Sequence, residues 1–305
     1  MKIIRYCGFC LPLLATLLFP ARRAEAQAPD PEKSTSVPQS SHPNEYRSIV
    51  YQSIAGNDEM LDVYQNPGLT QPTPVLIYFH GGAWARNARP AGPNGFRPYL
   101  AMGFSIVNVD YRLTGVATAP AAVKDARCAL AWVGNNAHQY DFDVSRIVVW
   151  GTSSGGHLAL MTGLPSSPAD FDLPACRKQP KVAAVLDFYG ISDVLELVAG
   201  PRKMNSADLW IGRAPDHLEL AKRMSPLSYV RPGVAPVYIL HGDTDPTVPY
   251  TQSERLHDAL DAAGVVNKLH TVKGGIHGKF SEEEMNQVYR EIREFLATVR
   301  VLPAH

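Results

Sequence analysis

The apolar run Arg146-Ile147-Val148-Val149-Trp150 leads straight into Gly151-Thr152-Ser153-Ser154-Gly155-Gly156, and then into His157-Leu158-Ala159-Leu160-Met161. No other stretch restricts the fold as tightly. A short apolar run that ends at glycines reads as a buried strand, and the apolar segment after it as a helix. Between them, Gly-x-Ser-x-Gly makes a sharp turn in which the serine takes strained backbone geometry and its neighbours must be small. Gly151 and Gly155 meet that demand around Ser153; centring the pattern on Ser154 requires glycine where Thr152 stands. The turn places Ser153 at a helix N-terminus, where free amides and the helix dipole favour an anion. The alternative is a chance glycine-rich turn, so Ser153 as a nucleophile rests on its company elsewhere in the chain.

Three segments supply that company. His80-Gly81-Gly82-Ala83-Trp84 follows a strand-like run at 74–79. Glycines directly after a strand let backbone amides turn toward a ligand, as a hole for a developing oxyanion requires. The amides of Gly82, Ala83 and Ser154 are the expected donors, with Gly81 an alternative to Ala83; His80 reads as a structural ring bonded to its own loop. The apolar run at 237–240 ends in His241-Gly242-Asp243-Thr244-Asp245-Pro246. A serine nucleophile needs an imidazole, and the imidazole an acceptor that sets its tautomer. Asp245 is the expected acceptor; Asp243, close behind His-Gly, is the rival and reads as a turn residue. Gly274-Gly275-Ile276-His277-Gly278 follows a strand-like run at 268–272. Of ten histidines, only His277 lies among glycines downstream of the acid. His157 reads as packing or capping, and His241 as closing a strand.

Ser153, Asp245 and His277 stand in the order of an α/β-hydrolase fold. From about residue 45 onward the chain resembles the α/β-hydrolase esterases of the hormone-sensitive-lipase and feruloyl-esterase-like groups. The resemblance implies a mostly parallel central sheet with helices on both faces and a small lid. It also implies hydrolysis of carboxylic esters through an acyl-enzyme, with no metal and no cofactor. Asp110-Tyr111-Arg112-Leu113 also looks like that family and reads as an Asp–Arg arrangement steadying the oxyanion loop. Ala83 departs from the family's third glycine but still offers an amide. The Gly-Gly-x-Trp form resembles kynurenine formamidases too, so an arylformamidase-like amide hydrolase is the second reading. A third reading, a non-catalytic binder on the same fold, predicts a missing triad member, and none is missing.

The 305 residues suffice for one large α/β domain. The formal net charge is zero with no basic run, so nothing points to nucleic acid or to an anionic membrane surface. Residues 1–26 read as a signal peptide: Lys2 and Arg5, an apolar stretch at 6–19 too short to span a bilayer comfortably, and Ala24-Glu25-Ala26 as cleavage site. The expected location is therefore periplasmic or extracellular, with no stable membrane association after cleavage; a retained anchor is the alternative. Cys128 and Cys176 are left in the mature chain. Export permits a disulfide between them; two free thiols, Cys128 packed as a small apolar residue, is the other reading. No Cys/His cluster has metal-ligand spacing.

Residues 27–44, rich in Pro, Ser and Gln, read as a disordered linker before a catalytic domain at 45–305. A hairpin turning at Gly56-Asn57 is expected first. Alternating strands and helices follow, implying a parallel sheet with its site at the carboxyl edge. The rhythm breaks at about 191–226, where a lid is expected. Trp84 and Tyr189 are the expected substrate contacts, and Trp210 reads as packing. Candidate substrates are small-molecule or polysaccharide esters carrying acetyl, other short acyl, or feruloyl groups.

Overall fold

The computed structural model describes residues 43–304 apart from 55, 167 and 168. The expected signal peptide and all but the last two residues of the expected linker lie outside the described residues.

Eight strands form one sheet: β1 (Asn44–Ile54), β2 (Asn57–Gln65), β3 (Thr73–Phe79), β4 (Ser105–Val109), β5 (Phe142–Thr152), β6 (Val182–Phe188), β7 (Val237–Gly242) and β8 (Asn267–Val272), in the order β1-β2-β4-β3-β5-β6-β7-β8. β1 and β2 make the antiparallel edge, and β2 runs antiparallel to β4. The six strands from β4 to β8 across the sheet are parallel. The helices are α1 (Arg97–Ala101), α2 (Ala121–Asn135), α3 (Ser154–Gly163), α4 (Val194–Ala199), α5 (Asn205–Ile211), α6 (His217–Arg223), α7 (Thr251–Ala262) and α8 (Glu282–Thr298). This is the α/β-hydrolase fold.

Two apolar cores explain why the central strands lack polar alternation. Side chains alternate faces along a strand, and a sheet covered on both faces needs apolar residues at every position. Val75, Ile77 and Phe79 of β3 join one core with α2, α3 and α7; Leu76 and Tyr78 join the other with α1 and α8. Val149 and Trp150 of β5 divide in the same way. α8 starts on a capping box: Ser281 Oγ accepts from the Glu284 amide, and the Glu284 carboxylate accepts from the Ser281 amide.

The interval between β6 and β7 holds α4, α5 and α6. Its first turn is tied to α7, where the Gln252 amide oxygen accepts from the amides of Ser192 and Asp193 at 2.9 and 2.7 Å. Arg255 pairs with Asp193 and Glu196 at 2.7 and 2.8 Å. A disulfide joins Cys128 of α2 to Cys176. Beside it the fully buried guanidinium of Arg127 pairs with both carboxylate oxygens of Asp172. The two links hold the β5–β6 connection against α2.

The Cys128–Cys176 bridge spans a sequence separation of 48. Closing a loop of that size is worth about 4 kcal/mol in the chain-entropy picture and commonly 2–4 in practice. A Cys128→Ser/Cys176→Ser variant is expected to lose stability of that order in urea titration. Reductant is expected to bring the unmodified protein to the same midpoint; a reductant-insensitive midpoint contradicts the assignment.

Candidate active site

Ser153 leaves β5 with φ 55° and ψ −120°, the strained state expected of the turn. The flanking glycines are required by close approach. A β-carbon on Gly151 would lie 2.0 Å from the Gly155 carbonyl oxygen, and one on Gly155 would lie 2.1 Å from that of Phe79. The Ser153 amide donates to the Phe188 carbonyl at 2.9 Å, which locks the turn to β6.

The loops after β7 and β8 meet this turn. His277 Nε2 lies 3.0 Å from Ser153 Oγ, and its Nδ1 donates to Asp245 Oδ2 at 2.6 Å. Burial raises the Asp245 pKa, but hydrogen bonds from His241 and His277 and from the Thr247 amide outweigh it, holding the carboxyl far below the usual carboxylate range. Asp243 does not reach the imidazole. Its Oδ1 accepts from the Gly274 amide at 2.7 Å and its Oδ2 faces Lys273 at 3.3 Å, so it pins the histidine loop.

The loop after β3 closes the other side. Gly82, Ala83 and Trp84 have φ of 134°, 57° and 56°, two of them in the left-handed region that non-glycine residues enter at a cost. The Gly82 carbonyl accepts from the amides of Ala85 and Arg86. Among the described residues, no acceptor takes the amides of Gly82, Ala83 or Ser154. His80 is structural: it donates from Nδ1 to the Gly81 carbonyl at 2.8 Å and stacks on Tyr111 at 4.4 Å, and burial lowers its pKa.

Two readings change. The Asp–Arg arrangement expected within 110–113 is split between two pairs. Asp110 binds Arg89, accepting from its amide at 2.7 Å and from its guanidinium, while Arg112 binds Asp125 of α2 at 2.6 Å. Each finds its partner outside the 110–113 segment, Arg89 in the loop after β3 and Asp125 on α2. Trp84, expected to contact substrate, borders the cleft without any exposed surface. Its ring stacks on Trp210 of α5 at 4.3 Å, and its Nε1 donates to His157 Nδ1 at 3.2 Å. His157 in turn donates to the Met224 carbonyl at 2.8 Å, and burial lowers its pKa to about 4. Neutral His157 and the two indoles therefore anchor the 191–226 segment on α3. Tyr189 does line the cleft, its ring centroid 4.8 Å from that of His277. Ile191, Met204 and Thr247 complete a wall of the cleft, whose volume is about 520 Å³.

Sequence reasoning passed over three residues. Tyr78 and Thr152 line the cleft beside Ser153, hydroxyl to hydroxyl at 3.3 Å; in sequence Tyr78 reads only as part of a buried strand and Thr152 only as the residue that fixes the serine register. His241 lies 3.1 Å from Asp245, and their spacing of four was the available signal. Among the described residues no group of three or more His, Cys, Asp or Glu is placed to hold a metal ion.

The BD-FAE family profile matches residues 61–260, which contain Ser153 and Asp245. The chain belongs to the BD-FAE family. It is 28% identical to the esterase LipQ of Mycobacterium tuberculosis over 253 residues, 80% of this chain and 60% of LipQ. It thus spans less than two thirds of that relative. It is 29% identical to the carboxylesterase NlhH of the same organism, over 77% of this chain and 74% of NlhH. Among solved structures, apo esterase 2 of Thermogutta terrifontis superposes with a TM-score of 0.68 at 25% identity, covering 85% of this chain and 96% of that one.

Behind the elbow, Asp187 of β6 occupies the space a β-carbon would need at Gly156 and Gly190. It is buried, without a side-chain partner among the described residues, and burial raises its pKa to about 7. A raised folded-state pKa means stability is full below the unfolded value of about 4 and is lost as pH rises through about 7. Asp187→Asn is expected to flatten that decline, leaving the variant more stable than the parent above about pH 7, by on the order of 1–3 kcal/mol. Urea midpoints at several pH values test this; parallel pH curves for the two proteins contradict it.

Proposed function

We propose that this protein is a serine carboxylesterase acting through Ser153, His277 and Asp245. The observation that carries the reading is the unbroken hydrogen-bonded line from Ser153 Oγ through both ring nitrogens of His277 to Asp245 at the wall of an open cleft. Similarity to LipQ and NlhH supports ester hydrolysis in particular. Ser153 attacks the ester carbonyl as His277 Nε2 takes its proton, and Asp245 supports the imidazolium that forms. The amides of Gly82, Ala83 and Ser154 receive the oxyanion; one such donor is worth about 3–4 kcal/mol in a serine-hydrolase setting. His277 then protonates the leaving alcohol, and water repeats the sequence on the acyl-enzyme.

The substrates proposed are short-chain or aromatic esters, acetyl and feruloyl among them. The cleft holds about 520 Å³ and the segment over it is only about 35 residues long, with charged side chains recurring along it. That is too little apolar surface for a lipid interface or a long acyl tunnel. Export to the periplasm or outside the cell is proposed from the N-terminal segment, and the Cys128–Cys176 disulfide suits an oxidising compartment. No helix among the described residues is long and apolar enough to cross a membrane.

Ser153→Ala is expected to abolish hydrolysis of p-nitrophenyl acetate, leaving at most the contribution of binding and the oxyanion donors. Retained turnover there, with loss in Ser154→Ala, overturns the register. Asp245→Asn is expected to cut kcat by about 10⁴, because asparagine favours the wrong imidazole tautomer. Asp243→Asn, folded by circular dichroism, is expected to cost under tenfold; equal losses contradict the assignment of the acid.

Across p-nitrophenyl acetate, butyrate, octanoate and palmitate, kcat/KM is expected to peak at butyrate or shorter. Methyl ferulate is expected to be turned over and N-formylkynurenine hardly at all. A maximum at octanoate or longer contradicts the short-acyl reading, and efficient deformylation makes the protein an amide hydrolase.

A further inference from the structure

The Asp245 carboxylate has a second imidazole on the oxygen that serves His277. Oδ2 receives Nδ1–H of His277 at 2.6 Å and lies 3.1 Å from Nε2 of His241, while Oδ1 is held by the amides of Thr247 and Val248 at 2.7 and 3.0 Å. His241 is the last residue but one of β7, and its ring has no solvent exposure. Its Nδ1 lies 2.7 Å from Ser253 Oγ on α7, itself 1% exposed.

Proton positions follow from what each partner can do. An ionised carboxylate only accepts, so Nε2 of His241 carries its proton toward Asp245, with the Val248 carbonyl at 3.2 Å as a second acceptor. Nδ1 is then a lone pair and takes the hydroxyl proton of Ser253. The same rule puts the His277 proton on Nδ1 and leaves Nε2 to accept from Ser153. The carboxylate therefore stands at the centre of a chain reading Ser153–His277–Asp245–His241–Ser253. One arm ends in the cleft, the other in the core.

We propose that His241 is a positioning residue for the acid. Its donated hydrogen bond fixes the Asp245 side chain and takes up part of the charge that His277 would otherwise have to itself. The proposal rests on the reading of Ser153, His277 and Asp245 as the catalytic triad. Without His241 the full carboxylate charge falls on His277 and favours its imidazolium form, so a higher pH is needed to free the base. The other titratable groups near this centre are few. Tyr189 faces His277 at 4.8 Å and the edge of Tyr250 faces His241 at 5.6 Å. Asp243 and Lys273 neutralise one another at the mouth of the β7 and β8 loops.

His241→Leu and His241→Gln separate this role from packing. His241→Leu is expected to lower kcat on p-nitrophenyl acetate about tenfold with KM near the parent value. It is also expected to move the acidic limb of kcat/KM upward by about one pH unit. His241→Gln keeps an N–H for Oδ2 and is expected to restore most of both. A folded His241→Leu with the parent's kcat and limb, or a His241→Gln no better than it, overturns the proposal. Where His241→Leu does not fold, Ser253→Ala releases Nδ1 and is expected to show a smaller shift of the limb in the same direction; an unmoved limb overturns the proposal. Proton NMR on the resting protein gives a readout free of turnover. Among the downfield imidazole N–H resonances, one is expected to be lost in His241→Gln and another in His277→Gln. A parent protein that hydrolyses no ester sinks the triad reading while the resonances still decide whether Asp245 is shared. Ester hydrolysis with no downfield resonance that His241→Gln removes sinks the shared carboxylate alone.

Discussion

Ser153 is held with φ 55° and ψ −120°, a backbone state costing a non-glycine residue on the order of 1–3 kcal/mol. Everything around the cleft is arranged to hold it there. β5 is paired on both sides, to β3 and β6, so the strand entering the turn cannot relax sideways. The Ser153 amide is bound to β6, and the Ser153 carbonyl accepts from the His157 amide at 3.1 Å as the first bond of α3. Gly151 and Gly155 let strand and helix close to backbone contact. The strain thus lifts one hydroxyl clear of the sheet edge, while the fold offsets its cost over many distant contacts.

A parallel sheet then does the gathering. The loops carrying Gly82 and Ala83, Asp245, and His277 each leave the carboxyl end of a strand, β3, β7 and β8, and so arrive on the same edge as the Ser153 turn. Each is fixed by its own polar links. Asp110 and Arg89 brace the first, Asp243 bridges the second to the third through the Gly274 amide, and Asp245 links the same two at the imidazole. Histidines divide by environment. His157 and His80, both buried, have lowered pKa values and serve as neutral hydrogen-bonding rings, whereas His277 stands part-exposed with an ionised partner.

Most of the sheet was legible because its strands are short apolar runs ending in glycine or turn residues. β3 at Thr73–Phe79 falls where the strand-like run at 74–79 predicts it, and the hairpin turns at Gly56 as expected. Ser153, Asp245 and His277 were legible because each sits in a local pattern of small residues that a strand-end loop requires. What escaped was set by tertiary geometry. Trp84 follows the oxyanion glycines and so suggests a pocket wall. Its position against Trp210, more than a hundred residues on, decides instead that it anchors the 191–226 segment. The partner of Arg112 lies on α2 rather than on its own loop, and no local pattern specifies that. His241 was read only as the end of a strand, since its meaning depends on Ser253 reaching it from α7.

An activated serine is most directly tested by covalent capture. Incubation with diethyl p-nitrophenyl phosphate, followed by intact and peptide mass spectrometry, reads out both stoichiometry and site. One diethylphosphoryl group per chain is predicted, on the peptide carrying Ser153, with none in Ser153→Ala and strongly slowed labelling in a His277→Ala variant. Labelling of another residue, or labelling of Ser153 that proceeds as fast without His277, contradicts a nucleophile activated by that imidazole.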